Sequence, residues 1–207
     1  MTGRIVILNG APRAGKSSIA AALQSGLAGS WINLGVDAQN RALPPHLLPG
    51  IGLRPGGERP DLEPMVRPLF LALYASIAAH ARAGFDVVAD VGHHDHYTRP
   101  LGILPACAQS LEGLDVLFVG VYCPLEVIMA RRNAGTDSMY VQGEGVPAPV
   151  QRWQDAVHVP GIYDLNLDTS QMTPEACAQA IGAALAAPPR PSAFERLAEI
   201  GQTRRRV

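Results

Sequence analysis

A three-layer α/β fold around a five-stranded parallel sheet is what this sequence predicts, on three observations. Five short apolar runs alternate with stretches of helical periodicity. Every connection between them is long enough to hold a crossover helix, and the first run leads straight into the turn Gly10-Ala11-Pro12-Arg13-Ala14-Gly15-Lys16-Ser17. Parallel strands covered on both faces read as continuous apolar runs, of which Ile5-Val6-Ile7-Leu8 is an example. A chain of 207 residues suffices for one domain of this kind, and nothing in it repeats at a fixed period.

The elements follow in order. Residues 4–9 predict the first strand, and a helix over 15–29 carries Ile19, Leu23 and Leu27 at intervals of four. Trp31 to Val36 predicts the second strand, ending at Asp37. From 40 to 64 six prolines remove backbone donors, so the segment reads as an irregular, mobile excursion. Helical spacing resumes over 65–83 with Leu69, Leu73 and Ile77 on one face, and Pro68 moves the helix start later. Residues 85–91 predict the third strand, with Asp90 near its end, followed by the cluster Gly92-His93-His94-Asp95-His96 and a helix over 99–111. A fourth strand over 114–122 precedes a helix over 124–133 that opens on a first-turn proline. A second mobile segment at 134–149, a short helix over 150–157, a strand over 163–168 and a helix over 173–187 complete the domain. Residues 188–207 read as a proline-led tail with one short amphipathic segment.

The turn at 10–17 has the spacing G-x-x-x-x-G-K-[ST] between a strand and a helix, the context this motif requires. It places the fold among the P-loop NTPases, of the nucleotide-kinase-like kind. Glycines let successive N–H groups turn inward toward phosphate oxygens, and the helix start adds its positive end. The predicted nucleotide contacts are Gly10, Ala11, Pro12, Arg13, Ala14, Gly15, Lys16, Ser17 and Ser18. Lys16 reaches the β- and γ-phosphates and Ser17 holds Mg²⁺. The seventeen basic residues are sixteen arginines and this one lysine. A compact ammonium on a flexible stem suits that position.

Ligands of open parallel sheets bind beyond the carboxyl ends of the strands, where Gly10, Asp37, Asp90 and Cys123 fall. Phosphoryl transfer needs a metal ligand and a proton acceptor there. The V-V-A-D pattern gives Asp90 the metal-side role, with ATP and Mg²⁺ as the implied cofactors, and Asp37 becomes the base. Either acid could instead cap the following helix.

Residues 1–37, with Ile7-Leu8-Asn9-Gly10, Ala14-Gly15-Lys16-Ser17-Ser18 and Gly35-Val36-Asp37, resemble the start of the chloramphenicol phosphotransferase family. Gly120 to Glu126, Val157-His158 and Tyr163 to Ser170 continue the resemblance. It implies an ATP-dependent kinase acting on a hydroxyl of a small molecule, which in the antibiotic-modifying members is an antibiotic, with the aspartate matching Asp37 as the base. Where the family has an arginine-rich segment, this chain has Arg131-Arg132-Asn133-Ala134. Arg131 or Arg132 is then the phosphate clamp, with Arg13 as a substitute; equally, the pair could be the positive last turn of a helix.

A net charge of −1 gives no global argument for nucleic acid, and no apolar run approaches membrane-spanning length. Cys107, Cys123 and Cys177 lack metal spacing and are odd in number, which reads as reduced thiols in the cytoplasm. The histidine cluster reads as a solvated loop or a polar wall of the acceptor pocket, because neighbours on an extended chain face opposite ways and cannot all converge on a metal. The competing function is a nucleotide-binding regulatory module without an acceptor.

Overall fold

The computed structural model describes residues 2–134 and 145–203, without the side chains of 202 and 203. Its sheet has five parallel strands in the order β2-β3-β1-β4-β5. These are β1 (Ile5–Asn9), β2 (Trp31–Asn33), β3 (Asp86–Val91), β4 (Val116–Tyr122) and β5 (Leu165–Asp168). Because successive side chains of a strand point to opposite faces, β1 feeds two cores. Ile5 and Ile7 join one with Val87, Ala89 and Phe118. Val6 and Leu8 join the other with Val88, Leu117 and Val119.

Helices α1 (Lys16–Gly26), α5 (Leu125–Ala134), α6 (Ala148–Ala156) and α7 (Pro174–Ala186) cover the second face. The first is covered by α3 (Glu63–Arg82) and α4 (Ile103–Ser110). It is also covered by α8 (Ala193–Thr203), a departure from the tail read at 188–207. Ala193, Phe194, Leu197 and Ala198 are buried against the sheet, and Asp164 accepts from the Ala193 amide at 2.6 Å. The amphipathic spacing that marks this helix therefore serves the core.

Three further differences bear on the site. Strand β2 stops at Asn33, because Gly35 begins the short helix α2 (Val36–Arg41). Asp37 consequently sits in a helical first turn. The 40–64 excursion is tied down by turns at Pro45–Leu47 and Gly50–Gly52, with Ile51, Leu53 and Leu62 in the core. Its prolines suit such tight turns without requiring mobility. Helix α3 starts at Glu63, earlier than read, since Pro68 lies in its second turn and forfeits only the bond to the Pro64 carbonyl. Of the segment expected at 134–149, residues 135–144 lie outside the described residues.

Candidate active site

The loop from Gly10 to Gly15 leaves the buried end of β1 and enters α1 at Lys16. Gly15 has φ 97°, a left-handed conformation that glycine adopts without strain, and Arg13 shares it at φ 65°. Alternation into left-handed geometry turns neighbouring amides toward one point, the basis of an anion nest. Lys16 folds its ammonium back across the loop, donating to the carbonyls of Gly10 at 2.8 Å and Ala11 at 2.9 Å. Burial draws its pKa down to about 8, against the opposing pull of Asp90 and Asp37.

Ser17 Oγ donates to Asp90 Oδ2 at 2.7 Å. Asp90 is buried at the end of β3, and its carboxylate occupies the space where Gly35 lacks a side chain. A hydroxyl and a carboxylate are hard oxygen donors of the type Mg²⁺ takes alongside phosphate and water. The pair thus fits that ion. No group of three or more His, Cys, Asp or Glu among the described residues could hold a metal.

Two cavities meet at the loop. One, of about 670 Å³, runs from Lys16, Ser17 and Ser18 to Arg131, Thr169 and Met172. The other, of about 400 Å³, is walled by Asn40, Ile51, Arg54, Asp90 and Trp153. Both are lined by Pro12, Arg13, Lys16, Ser17 and Asp37. The Asp37 side chain is exposed and makes no hydrogen bond among the described residues. Gly35, not Asp37, is the N-cap of α2, so the capping alternative does not hold for this acid.

The two arginines separate. Arg131 lines the larger cavity and forks across its floor: Nη1 donates to the Arg13 carbonyl at 3.2 Å and to Thr169 Oγ1 at 3.1 Å, and Nη2 donates to the Thr169 carbonyl at 2.7 Å. Thr169 Oγ1 in turn donates to the Ala14 carbonyl at 2.7 Å. Together they strap the phosphate loop to the chain after β5. Arg132 instead lines a small side cavity with Ala11, Ile128 and Trp153, away from the larger one.

Sequence reasoning missed the buried support of the loop. Asn9 donates through Nδ2 to the Val157 carbonyl and to Tyr163 Oη, both at 2.8 Å, and accepts from the His93 amide at 2.6 Å. His158 Nδ1 meets Tyr163 Oη at 2.9 Å, and its ring stacks on Tyr122 at 3.8 Å. Burial and then the Lys16 charge push its pKa down to about 4. The only hint in the sequence was a polar Asn9 closing an otherwise apolar strand.

Of the histidine cluster, Gly92 lines the 400 Å³ cavity and His96 is exposed, whereas His93 and His94 are buried and line neither cavity. His93 is buried, stacks on Phe70 at 4.6 Å and pairs through Nε2 with Tyr74 Oη at 2.7 Å. Burial, with His94 beside it, pushes its pKa down to about 3. His94 accepts from the His96 amide through Nδ1 at 3.2 Å, so its Nε2 carries the proton donated to the Leu53 carbonyl at 2.9 Å. Asp95 accepts from the amides of Leu101 and Gly102 ahead of α4. The side chains of His93, His94 and Asp95 are thus hydrogen-bonded within the protein.

A phosphate loop at the head of a five-stranded parallel sheet, a serine–aspartate pair and two adjoining cavities define the class of P-loop kinase folds. Within it, the chain belongs to the chloramphenicol phosphotransferase-like protein family, whose model matches residues 3–186. A Mycobacterium tuberculosis protein named "Putative O-phosphotransferase Rv2636" is 29% identical over 209 residues, covering 94% of this chain and 88% of its own. A sugar kinase from Janibacter sp. HTCC2649 has a similar fold, with TM-score 0.58 at 19% identity over 90% of this chain and 96% of that one. So does the Mycobacterium tuberculosis APS kinase CysC in complex with AMPPNP and APS, with TM-score 0.57 at 20% identity over 90% and 99%. Among the described residues, no helix is long and apolar enough to cross a membrane.

Proposed function

We propose that this chain is an ATP-dependent O-phosphotransferase that moves the γ-phosphate to a hydroxyl of a small molecule. The observation that carries the reading is the position of Asp37, on the shared wall of the two cavities. The larger cavity suits the nucleotide, because the amide nest, Lys16 and Arg131 all border it. The adjoining one suits the acceptor.

In this scheme the acceptor oxygen forms a bond to the γ-phosphorus while the bond from phosphorus to the β–γ bridging oxygen breaks. The hydroxyl proton passes to the Asp37 carboxylate, and ADP leaves. Lys16 exchanges its two loop carbonyls for phosphate oxygens, which spread the charge that builds during transfer. Arg131, with Arg13 beside it, clamps the phosphates from the opposite side; Arg132 borders the acceptor side. Ser17 and Asp90 would hold Mg²⁺, which supplies charge neutralisation to the phosphate tail. The family's name puts chloramphenicol and other hydroxylated antibiotics in the first acceptor panel. The buried thiols of Cys107, Cys123 and Cys177 support a reducing, cytoplasmic setting.

The test is ADP release with and without each hydroxyl compound, with Asp37→Asn protein as control. Acceptor-dependent release that the variant loses is the expected result. Tight nucleotide binding with no acceptor-dependent release by any compound would favour a regulatory module.

A further inference from the structure

The carboxylates around the acceptor cavity are confined to one part of it, in a way that phosphoryl transfer alone does not require. Beyond Arg54 and Trp153 the cavity of about 400 Å³ continues into one of about 100 Å³, walled by Ile128, Pro147 and Val150. Pro12, Arg13, Arg54 and Trp153 line both, so the two adjoin, a larger lobe and a smaller one. The carboxylates, Asp37 and Asp90, line the larger lobe and not the smaller, although both lobes border the phosphate loop at Pro12 and Arg13. Every charged residue lining the smaller lobe is an arginine: Arg13, Arg54 and Arg132.

Both lobes are lined by Trp153 and its indole. It is buried and fixed edge-on against the His94 ring, with centroids 5.0 Å apart at 88°. On another side it is packed so closely over Gly92 that a Cβ there would lie 3.0 Å from the ring. The indole is therefore a rigid apolar wall, suited to a flat ring or aliphatic face. Arg54 is exposed at the junction of the lobes and makes no ion pair among the described residues. Its neighbours differ: Arg152 is taken up by Glu58, and Arg59 by Asp61. A guanidinium with no ion pair among the described residues, at the rim of an apolar lobe, is a ready partner for a planar anion, which it binds through a fork of two donors.

We propose that the acceptor is a hydroxy acid with a flat apolar body. Its hydroxyl faces Asp37, its body lies on Trp153, and its carboxylate is held by Arg54. The assignment rests on the phosphotransferase reading of this cavity and adds the chemical class of its substrate.

Two matched pairs test it: phenyllactate against phenylpropanediol, and mandelate against phenylethanediol. Within each pair only a carboxylate is exchanged for a hydroxymethyl group. ADP release with the full chain is expected to favour an acid over its diol by about tenfold or more in kcat/KM, the range of one charge-assisted contact. Arg54→Gln is expected to erase that preference by raising KM for the acid, with KM for ATP unchanged within about twofold. Binding is read separately, without nucleotide, from the fluorescence of Trp153, one of two tryptophans; Trp153→Phe identifies its share of the signal.

If the acid changes that signal in an Arg54-dependent way and no ADP is released, the substrate class survives and the transfer reading falls. Equal use of acid and diol overturns the class while leaving transfer intact. An Arg54→Gln effect confined to KM for ATP would assign the guanidinium to the nucleotide and overturn the inference. So would the absence of binding by both acids at millimolar concentration.

Discussion

Ser17 Oγ donates to Asp90 Oδ2 over 2.7 Å, joining the first turn of α1 to the end of β3 beside the cavity that Asp37 also lines. The pairing keeps a buried carboxylate hydrogen-bonded and aims it at the loop. It also explains Gly35, whose missing side chain leaves the space that the Asp90 carboxylate fills.

The first prediction concerns that pairing. Asp90→Asn keeps a hydrogen-bonding group of the same shape but removes its charge. ADP is expected to bind wild-type protein about tenfold more tightly with Mg²⁺ than with EDTA, and the variant about equally in both, by titration calorimetry. Gly35→Ala should produce the same loss by displacing the carboxylate, and should lower stability by about 1–3 kcal/mol, the usual penalty for overpacking. A variant at Gly35 with wild-type stability and full Mg²⁺ dependence would contradict the geometry.

The second prediction follows from Asp37, whose carboxylate is exposed on the wall shared by both cavities. Asp37→Asn should lower kcat by about 10²–10⁴-fold, as expected for loss of a general base. Since this acid makes no hydrogen bond among the described residues, folding should be untouched, and ADP affinity should stay within about threefold. A kcat within a factor of two of wild type would remove the base assignment.

How much of this could be read from the chain depends on how local the determinant is. The geometry of the 10–17 loop was legible because it is set by backbone angles and a fixed spacing over eight residues. The alternation of apolar runs likewise gave five parallel strands. The roles of His93 and His94 were not legible: their partners, Tyr74 and the Leu53 carbonyl, lie 19 and 41 residues away. Polarity in a sequence reads as exposure, and nothing near these two residues says otherwise. Asn9 was hidden for the same reason, with partners up to 154 residues distant. In α8 the apolar face was visible, but nothing local could say that it packs on α4 and β4.

Arg131 carries the third prediction. Its fork to Thr169 and to the Arg13 carbonyl fixes the position of the loop relative to the chain after β5. Lysine keeps the charge but lacks the planar fork whose two nitrogens reach the Arg13 carbonyl and the Thr169 carbonyl separately. Arg131→Lys should therefore weaken ADP binding by about tenfold and lower the melting temperature, whereas Arg132→Lys should change neither by a comparable amount. If Arg131→Lys altered kcat alone, with stability and ADP affinity intact, Arg131 would act on the transferring phosphate and not as a strap.

The fourth prediction is a pH dependence of stability. Burial holds His93 neutral, with its pKa at about 3 in the folded chain against an ordinary value of 6.5. Between those values the unfolded chain binds a proton that the folded chain does not, so stability is full above about pH 6.5 and falls as the pH drops toward 3. This group alone contributes a slope of up to about 1.4 kcal/mol per pH unit. His158, lowered to about 4, adds in the same direction. His93→Phe should stack on Phe70 but leave the buried Tyr74 hydroxyl without its partner, costing about 1–3 kcal/mol at neutral pH. Urea titrations between about pH 6.5 and pH 5 should then show the variant losing stability less steeply than wild type, by the equivalent of about half a proton at the upper end and about one proton at the lower. Parallel curves for the two proteins would mean that the His93 ring is reached by protons in the folded state. The buried pairing with Tyr74 would then not be what keeps the ring neutral.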